Sequence, residues 1–182
     1  MEKKLYTLIV YSENIAGLLN QITVVFTRRQ INIESLNVSA SSIQGIHKYT
    51  ITAWMDEETI KKVVKQIEKK IEVIQAHYFT DDEIFYHEIA LYKLSTPKLE
   101  NDSYISKVIR RYGASIVEVN PVYSIVKKTG MSDEITALNS ELQSLGCVLQ
   151  FVRSGRVAIT KSCVERVNEY LAERAEKHRN TK

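Results

Sequence analysis

No run of apolar residues in this 182-residue chain is long enough to cross a bilayer, and no secretory leader is legible. Cysteine is scarce. Cys147 and Cys163 form neither a CxxC pair nor the dense pattern of a disulfide scaffold, which suits a reducing compartment. A cytoplasmic protein with no membrane partner is therefore expected. The four histidines, His47, His77, His87 and His178, are far apart, and no HExxH occurs, so no metal site is expected. The GxxxxGK phosphate loop, a GxGxxG turn after the first strand and the GxSxG elbow are missing as well, which removes the common nucleotide-binding and hydrolase signatures. Neither cysteine has a neighbouring histidine or basic cluster to activate it. A strong excess of one charge is also lacking. The net charge is +3, and Lys61, Lys62, Lys65, Lys69 and Lys70 interleave with Glu57, Glu58, Glu68 and Glu72. That mixture reads as a solvated helix face, not a nucleic-acid surface. No catalytic residue, metal or cofactor of the chain's own is expected.

What is present is one order of elements, used twice. Lys4–Tyr11 is rich in β-branched and aromatic residues and reads as a strand. Ile15, Leu18, Leu19, Ile22, Val25 and Phe26 then recur at steps of three and four, predicting a helix over Ile15–Arg29 with one apolar face. Strands Ile31–Ala40 and His47–Ala53 follow, joined through Ser41, Ser42 and Gly45. A helix over Glu57–Lys70 starts at the capping Asp56 and turns Ile60, Val63, Val64 and Ile67 inward. Strand Ile71–Phe79 completes β-α-β-β-α-β, the ferredoxin-like order.

The acidic stretch Thr80–Glu83 interrupts the pattern, and the order then repeats. His87–Leu94 reads as a strand, and Tyr104, Ile105, Val108, Ile109 and Tyr112 as a helix closed by Gly113. Ser115–Val119 and Tyr123–Val126 flank the turn at Asn120 and Pro121. Ile135, Leu138, Leu142 and Leu145 form a second helix before Gly146, and Val148–Val152 is the last strand, continued after Gly155 by Val157–Thr160. The expected organisation is α+β: a ferredoxin-like domain over residues 1–79, a linker over 80–86, a second ferredoxin-like domain over 87–161, and a C-terminal helix and tail over 162–182. Ser162 and Glu165 make a capping box for that helix, and Val164, Val167 and Leu171 give it an apolar stripe.

The candidate site lies at the mouth of the first helix. Asn14 is expected to cap it, and the free N–H groups of its first turn, with the helix dipole, favour a carboxylate or phosphate. Gly17 has no Cβ to hold a ligand away from the main chain. Such a mouth holds a small anion without supplying a group to transform it, so the chain reads as a sensor.

The run Glu13-Asn14-Ile15-Ala16-Gly17-Leu18-Leu19, followed by Asn32-Ile33-Glu34-Ser35-Leu36, resembles the ACT domain of the regulatory small subunits of acetolactate synthase, also called acetohydroxyacid synthase. The second half is similar too: Tyr112-Gly113-Ala114-Ser115-Ile116-Val117-Glu118-Val119, then Thr129-Gly130, then Arg153-Ser154-Gly155. The resemblance covers nearly all of residues 1–161, and the Asn-Ile-Glu-Ser-Leu run is its most specific piece. It implies that the first domain is an ACT domain and that the chain makes no acetolactate itself. The implied partner is a catalytic large subunit that carries thiamine diphosphate, magnesium and FAD. The small subunit would activate it and confer feedback inhibition by valine or a related branched-chain amino acid.

The resemblance further implies a homodimer, with ACT domains side by side and the effector in the seam. The main chain of Ile15, Ala16, Gly17, Leu18 and Leu19 would hold the effector carboxylate. Asn14 and Asn32, from opposite protomers, would address its polar groups, and Ile33 would border the aliphatic pocket. Three positions depart from the family pattern: Gln30 for a frequent glycine, Ala16 for a serine and Glu118 for an aspartate. A hydroxyl lost at Ala16 would remove a hydrogen bond worth about 0.5–1.5 kcal/mol. The alternative is a stand-alone amino-acid-sensing transcription regulator with tandem ACT domains, but no helix-turn-helix is legible. An RNA-recognition module of the same topology would need an aromatic run that Lys48–Trp54 lacks. A small enzyme would need an acid–base pair, and none is evident.

Overall fold

Ten residues that alternate between two faces open the fold. β1 (Lys4–Glu13) sends Tyr6, Leu8 and Val10 into a core, and by alternation Thr7, Ile9 and Tyr11 to the opposite side. The computed structural model describes residues 2–162. α1 (Leu18–Thr27) buries Leu18, Ile22, Val25 and Phe26 on that core, and α2 (Glu57–Glu68) adds Ile60, Val63, Val64 and Ile67. Each such side chain, taken fully from water, contributes about 1.5–3 kcal/mol before the entropy of ordering it is counted. The expected cap of α2 is in place: Thr59 N–H donates to Asp56 Oδ1 at 2.9 Å. With β2 (Ile33–Ala40), β3 (Ile46–Met55) and β4 (Val73–Phe79), the antiparallel sheet runs β2-β3-β1-β4.

The order then repeats with β5 (Ile84–Ser95), α3 (Thr96–Asn101), α4 (Ser103–Arg111), β6 (Ser115–Val119), β7 (Tyr123–Gly130), α5 (Ser132–Ser144) and β8 (Val148–Arg153). The second sheet runs β6-β7-β5-β8, and β9 (Val157–Thr160) pairs with β5. Its core gathers Tyr92, Leu94, Ile105, Val108, Ile109, Leu138 and Leu142. The Tyr92 hydroxyl donates to the Ile135 carbonyl at 2.9 Å, and burial pushes its phenol up to about 12. Both halves therefore have the ferredoxin-like β-α-β-β-α-β arrangement. By compactness the chain divides into two units: one runs to Phe85 and resumes at Ala158, and the other is Tyr86–Val157.

Several boundaries differ from expectation for identifiable reasons. β1 continues two residues past Tyr11, because Ser12 and Glu13 still pair with His47 and Ile46. α1 begins at Leu18, not at Ile15, because a left-handed residue at Gly17 interrupts the chain first. β5 begins at Ile84, inside the expected linker; Glu83 closes a turn by accepting the Thr80 N–H at 2.8 Å. The short helix α3 was not expected. Six residues with Pro97 in the first turn carry too little periodicity to be seen. The expected helix over 162–182 falls, after Ser162, outside the described residues.

Candidate functional site

The segment between β1 and α1 is a tight turn with exposed residues. Asn14 N–H donates to Gly45 O at 3.0 Å, Ile15 N–H to Glu13 O at 3.1 Å and Leu18 N–H to Ile15 O at 3.3 Å. The expected role of Asn14 as the N-cap is thereby corrected. Its main chain is tied back to the Gly45 turn, and the cap position falls to Gly17, at φ +86° and ψ −9°. Gly17 makes no side-chain cap bond, having no side chain to make one. Among the described residues, the amides of Ala16, Gly17 and Leu19 meet no main-chain acceptor, as the first turn of a helix requires. A Cβ at Gly17 would meet nothing within 4 Å. Glycine is needed here for its backbone angles, and the space above it is open.

The charge pattern distinguishes this mouth. α2 has Asp56 as cap and Glu57 and Glu58 in its first turn; α4 is capped by Asp102; α5 carries Asp133 and Glu134. Among the described helices of eight residues or more, α1 alone has no carboxylate at its cap or first turn. The positive end of its dipole is left uncompensated by the chain itself. Two apolar side chains expected on the buried face of α1 stand beside the mouth instead: Ile15 is 46% exposed and Leu19 41%. An uncompensated anion site flanked by aliphatic side chains suits a small molecule with a carboxylate at one end and a hydrocarbon at the other.

Asn32 and Ile33 are not part of this mouth in the same chain. Ile33 pairs with Ala53, Ala53 pairs with Tyr6, and Tyr6 is seven residues along β1 from Glu13. Seven residues of strand span about 23 Å. One protomer therefore brings Asn14, Ile15, Ala16, Gly17, Leu18 and Leu19 together and holds Asn32 and Ile33 at the other end of the sheet. Around Asn32 lies a cavity of about 340 Å³ whose walls include Lys3, Arg29, Gln30, Trp54 and Asp56. The two cations were not anticipated. Arg29, three residues before Asn32, was the available signal. Its guanidinium is steadied by Val25 O, with Nη1 at 3.3 Å. Asp56 faces the cavity with its carboxyl held below the usual carboxylate range, first by the Thr59 N–H and then by the Thr59 hydroxyl. Gln30 lies at φ +55°, the only positive-φ residue other than glycine among the described residues. That conformation explains why a glycine would suit the position.

Comparison with known proteins bears on both halves of the chain. A family described as "AHAS small subunit-like ACT domain" matches residues 8–75, and one described as "Small subunit of acetolactate synthase" matches residues 87–162. The acetolactate synthase small subunit of Bacillus subtilis is 31% identical over 168 residues, covering 91% of this chain and 95% of that protein. The Haemophilus influenzae small subunit is 28% identical over 152 residues, covering 84% of this chain and 93% of that one. In fold, the crystal structure of the Thermotoga maritima acetolactate synthase small subunit superposes with a TM-score of 0.79 at 24% identity, over 88% of this chain and 99% of that chain.

Proposed function

This chain belongs to the acetolactate synthase small-subunit family, and from that premise we propose that it is the regulatory subunit that activates the catalytic subunit and makes it responsive to a branched-chain amino acid. The observation that carries the proposal is the α1 mouth: free amides, a positive dipole end, no carboxylate of its own and two exposed aliphatic side chains. An amino-acid effector would set its carboxylate on the amides of Ala16, Gly17 and Leu19 and its side chain against Ile15 and Leu19. Valine, or a relative of similar size, is the effector proposed.

A complete site needs two copies. Since Asn32 and Ile33 lie about 23 Å from the mouth of their own chain, they can border the same ligand only from a second protomer. Among the described residues β2 is an edge strand, pairing with β3 on one side only, and its other main-chain side could meet another copy. Effector binding in such a seam would favour one quaternary arrangement over another, and the catalytic partner would feel that preference and no more. Couplings of this kind are typically about 1–3 kcal/mol, or roughly 5–150-fold in affinity. The chemistry belongs to the partner, which would carry thiamine diphosphate, magnesium and FAD.

The test is reconstitution with the catalytic subunit, measuring acetolactate formation with and without this chain and with valine, leucine or isoleucine. Activation by the chain, and inhibition by at least one of the three that Asn14→Ala weakens, is the expected outcome. Failure to activate would remove the subunit assignment. Activation with no response to any of the three would remove the effector site alone.

A further inference from the structure

The helix-free face of the second sheet carries a cluster of side chains that the α1 mouth does not use. Ala90, Tyr92 and Leu94 of β5 enter the core with Val126 of β7, so by alternation Leu91, Lys93 and Ile125 point to the other side. Two bulges then bring polar residues of the flanking strands to that side. On β6, Ile116 stands opposite Val126 but Glu118 stands opposite Ile125. The extra residue, Val117, turns the Glu118 carboxylate away from the core side, where simple alternation would have left it. On β8, Val148 stands opposite Leu94 and Gln150 opposite Lys93. Leu149 is the extra residue there, and the Gln150 amide is re-aimed in the same way. Glu118, Ile125, Lys93 and Gln150 thus form one row across all four strands.

That row, with Leu91, Tyr123 and Val152, lines a cavity of about 250 Å³. Tyr123 organises its charged groups. The phenol hydroxyl donates to Glu118 Oε1 at 3.0 Å, and the ring carries Lys93 Nζ at 4.2 Å from its centroid. Among the described residues Lys93 has no carboxylate partner. The floor between cation and anion is hydrocarbon: Leu91 and Val152 are 41% and 48% exposed, and Ile125 separates Lys93 from Glu118. An aliphatic α-amino acid answers every part of this arrangement. Its carboxylate would meet Lys93 Nζ and the Gln150 amide, its ammonium group Glu118, and its side chain Leu91, Ile125 and Val152. A phosphate would bring a second anion against Glu118, and a purely apolar molecule would cover both charges without pairing them, at a cost in free energy. The volume lies just below the range of about 300–1,000 Å³ that drug-sized ligands fill, which suits a molecule as small as leucine.

We propose that this face of the second unit is a binding site for an aliphatic α-amino acid, complete within one chain and separate from the α1 mouth. Lys93 and Glu118 read the two charges of the ligand, and the two bulges exist in the sheet where those charges have to be met. Neither site depends on the other, since the mouth is built from the first unit alone.

Calorimetric titration of L-leucine into the full chain carrying Gly17→Asp, which closes the α1 mouth, reads this site by itself. One leucine bound per chain is expected. Lys93→Met and Glu118→Gln, added singly, should each weaken it roughly tenfold or more, the loss of a charge-assisted hydrogen bond. Isocaproate, which is leucine without its ammonium group, should bind more weakly than leucine and be indifferent to Glu118→Gln. Absence of leucine binding to the Gly17→Asp chain, or binding that neither substitution weakens, would overturn the proposal. The mouth is judged separately, by the valine response of acetolactate formation, so failure here leaves that reading standing. A second measurement uses the unaltered chain: saturating leucine should slow acetylation of Lys93 by acetic anhydride several-fold, relative to the exposed Lys107 of α4, in peptide mass spectrometry. Equal slowing at both lysines, or none at Lys93, would equally overturn it.

Discussion

The two halves of this chain share one topology and differ at the mouth of their first long helix. In the first half, the turn after β1 leads through left-handed Gly17 into α1, whose opening amides have no side-chain acceptor. In the second half, the path after β5 passes through α3, and α4 then starts on Asp102, whose carboxylate accepts the Tyr104 N–H at 2.9 Å. One helix mouth is open to an outside anion; the other already holds an anion of its own. The same fold can thus present a helix mouth with or without a counter-charge, and a single carboxylate at the helix N-terminus separates the two.

The strongest way to break this comparison is to close the open mouth. Gly17→Asp should remove the effector response, a loss of the whole coupling of roughly 5–150-fold, while activation of the catalytic subunit persists. A titration of acetolactate formation with valine reads the effect. Gly17→Ala is the control: its Cβ meets nothing within 4 Å, so it carries the backbone strain without the charge. Inhibition that survives Gly17→Asp undiminished would mean that the effector binds elsewhere.

The reverse experiment opens the closed mouth. Asp102→Ala should cost about 1 kcal/mol of stability, the usual loss for an N-cap, and leave the effector response untouched. Urea unfolding and the same titration check both halves of that statement. If Asp102→Ala altered inhibition, the division of labour between the halves would be wrong.

The helix ends offer a smaller contrast. In the second half, α4 and α5 are followed by Gly113 and Gly146, both at positive φ, whereas α1 is followed by Gln30 at φ +55°. Gln30→Gly should relieve the left-handed strain and stabilise the chain by about 0.5 kcal/mol, the net of that strain against glycine's greater freedom when unfolded. A shift of the urea midpoint to higher concentration is expected. A shift to lower concentration would show that the Gln30 side chain contributes packing that outweighs the strain.

The smallest effect concerns pH. The Asp56 carboxyl is held below its ordinary value by the Thr59 N–H and hydroxyl, so its stabilising contribution is present above the unfolded carboxylate value, about 4. It is lost as pH falls through the depressed folded value. Asp56→Asn should flatten the acid limb of the stability curve below about pH 4, the ordinary carboxylate value, while retaining a cap. An unchanged limb would show that other carboxylates dominate it.

Much of this fold was legible from short-range chemistry. The apolar steps of α2 and its capping Asp56, the strand Ser115–Val119 and the repeated order of elements all follow from local pattern, and each is found where expected. The mouth of α1 was legible in composition but not in geometry. Asn14 is a good capping residue by type, yet the Gly45 carbonyl, reached only through the β3 turn, claims its main chain. Ile15 and Leu19 satisfy helical spacing with Leu18 and Ile22, but the late start of α1 leaves them in the open. Periodicity cannot distinguish an apolar residue that enters the core from one left exposed beside it.

By itself the sequence determined which segments are strands and helices, that they come twice in the same order, and which residue types stand at the helix mouths. Those are properties of neighbours along the chain: side-chain shape, period and capping chemistry. Only the tertiary structure decided that Asn14 and Asn32 lie at opposite ends of one sheet, because strand register is set by partners far away in sequence. It likewise decided which of the four described helices of eight residues or more has a mouth left without a counter-charge.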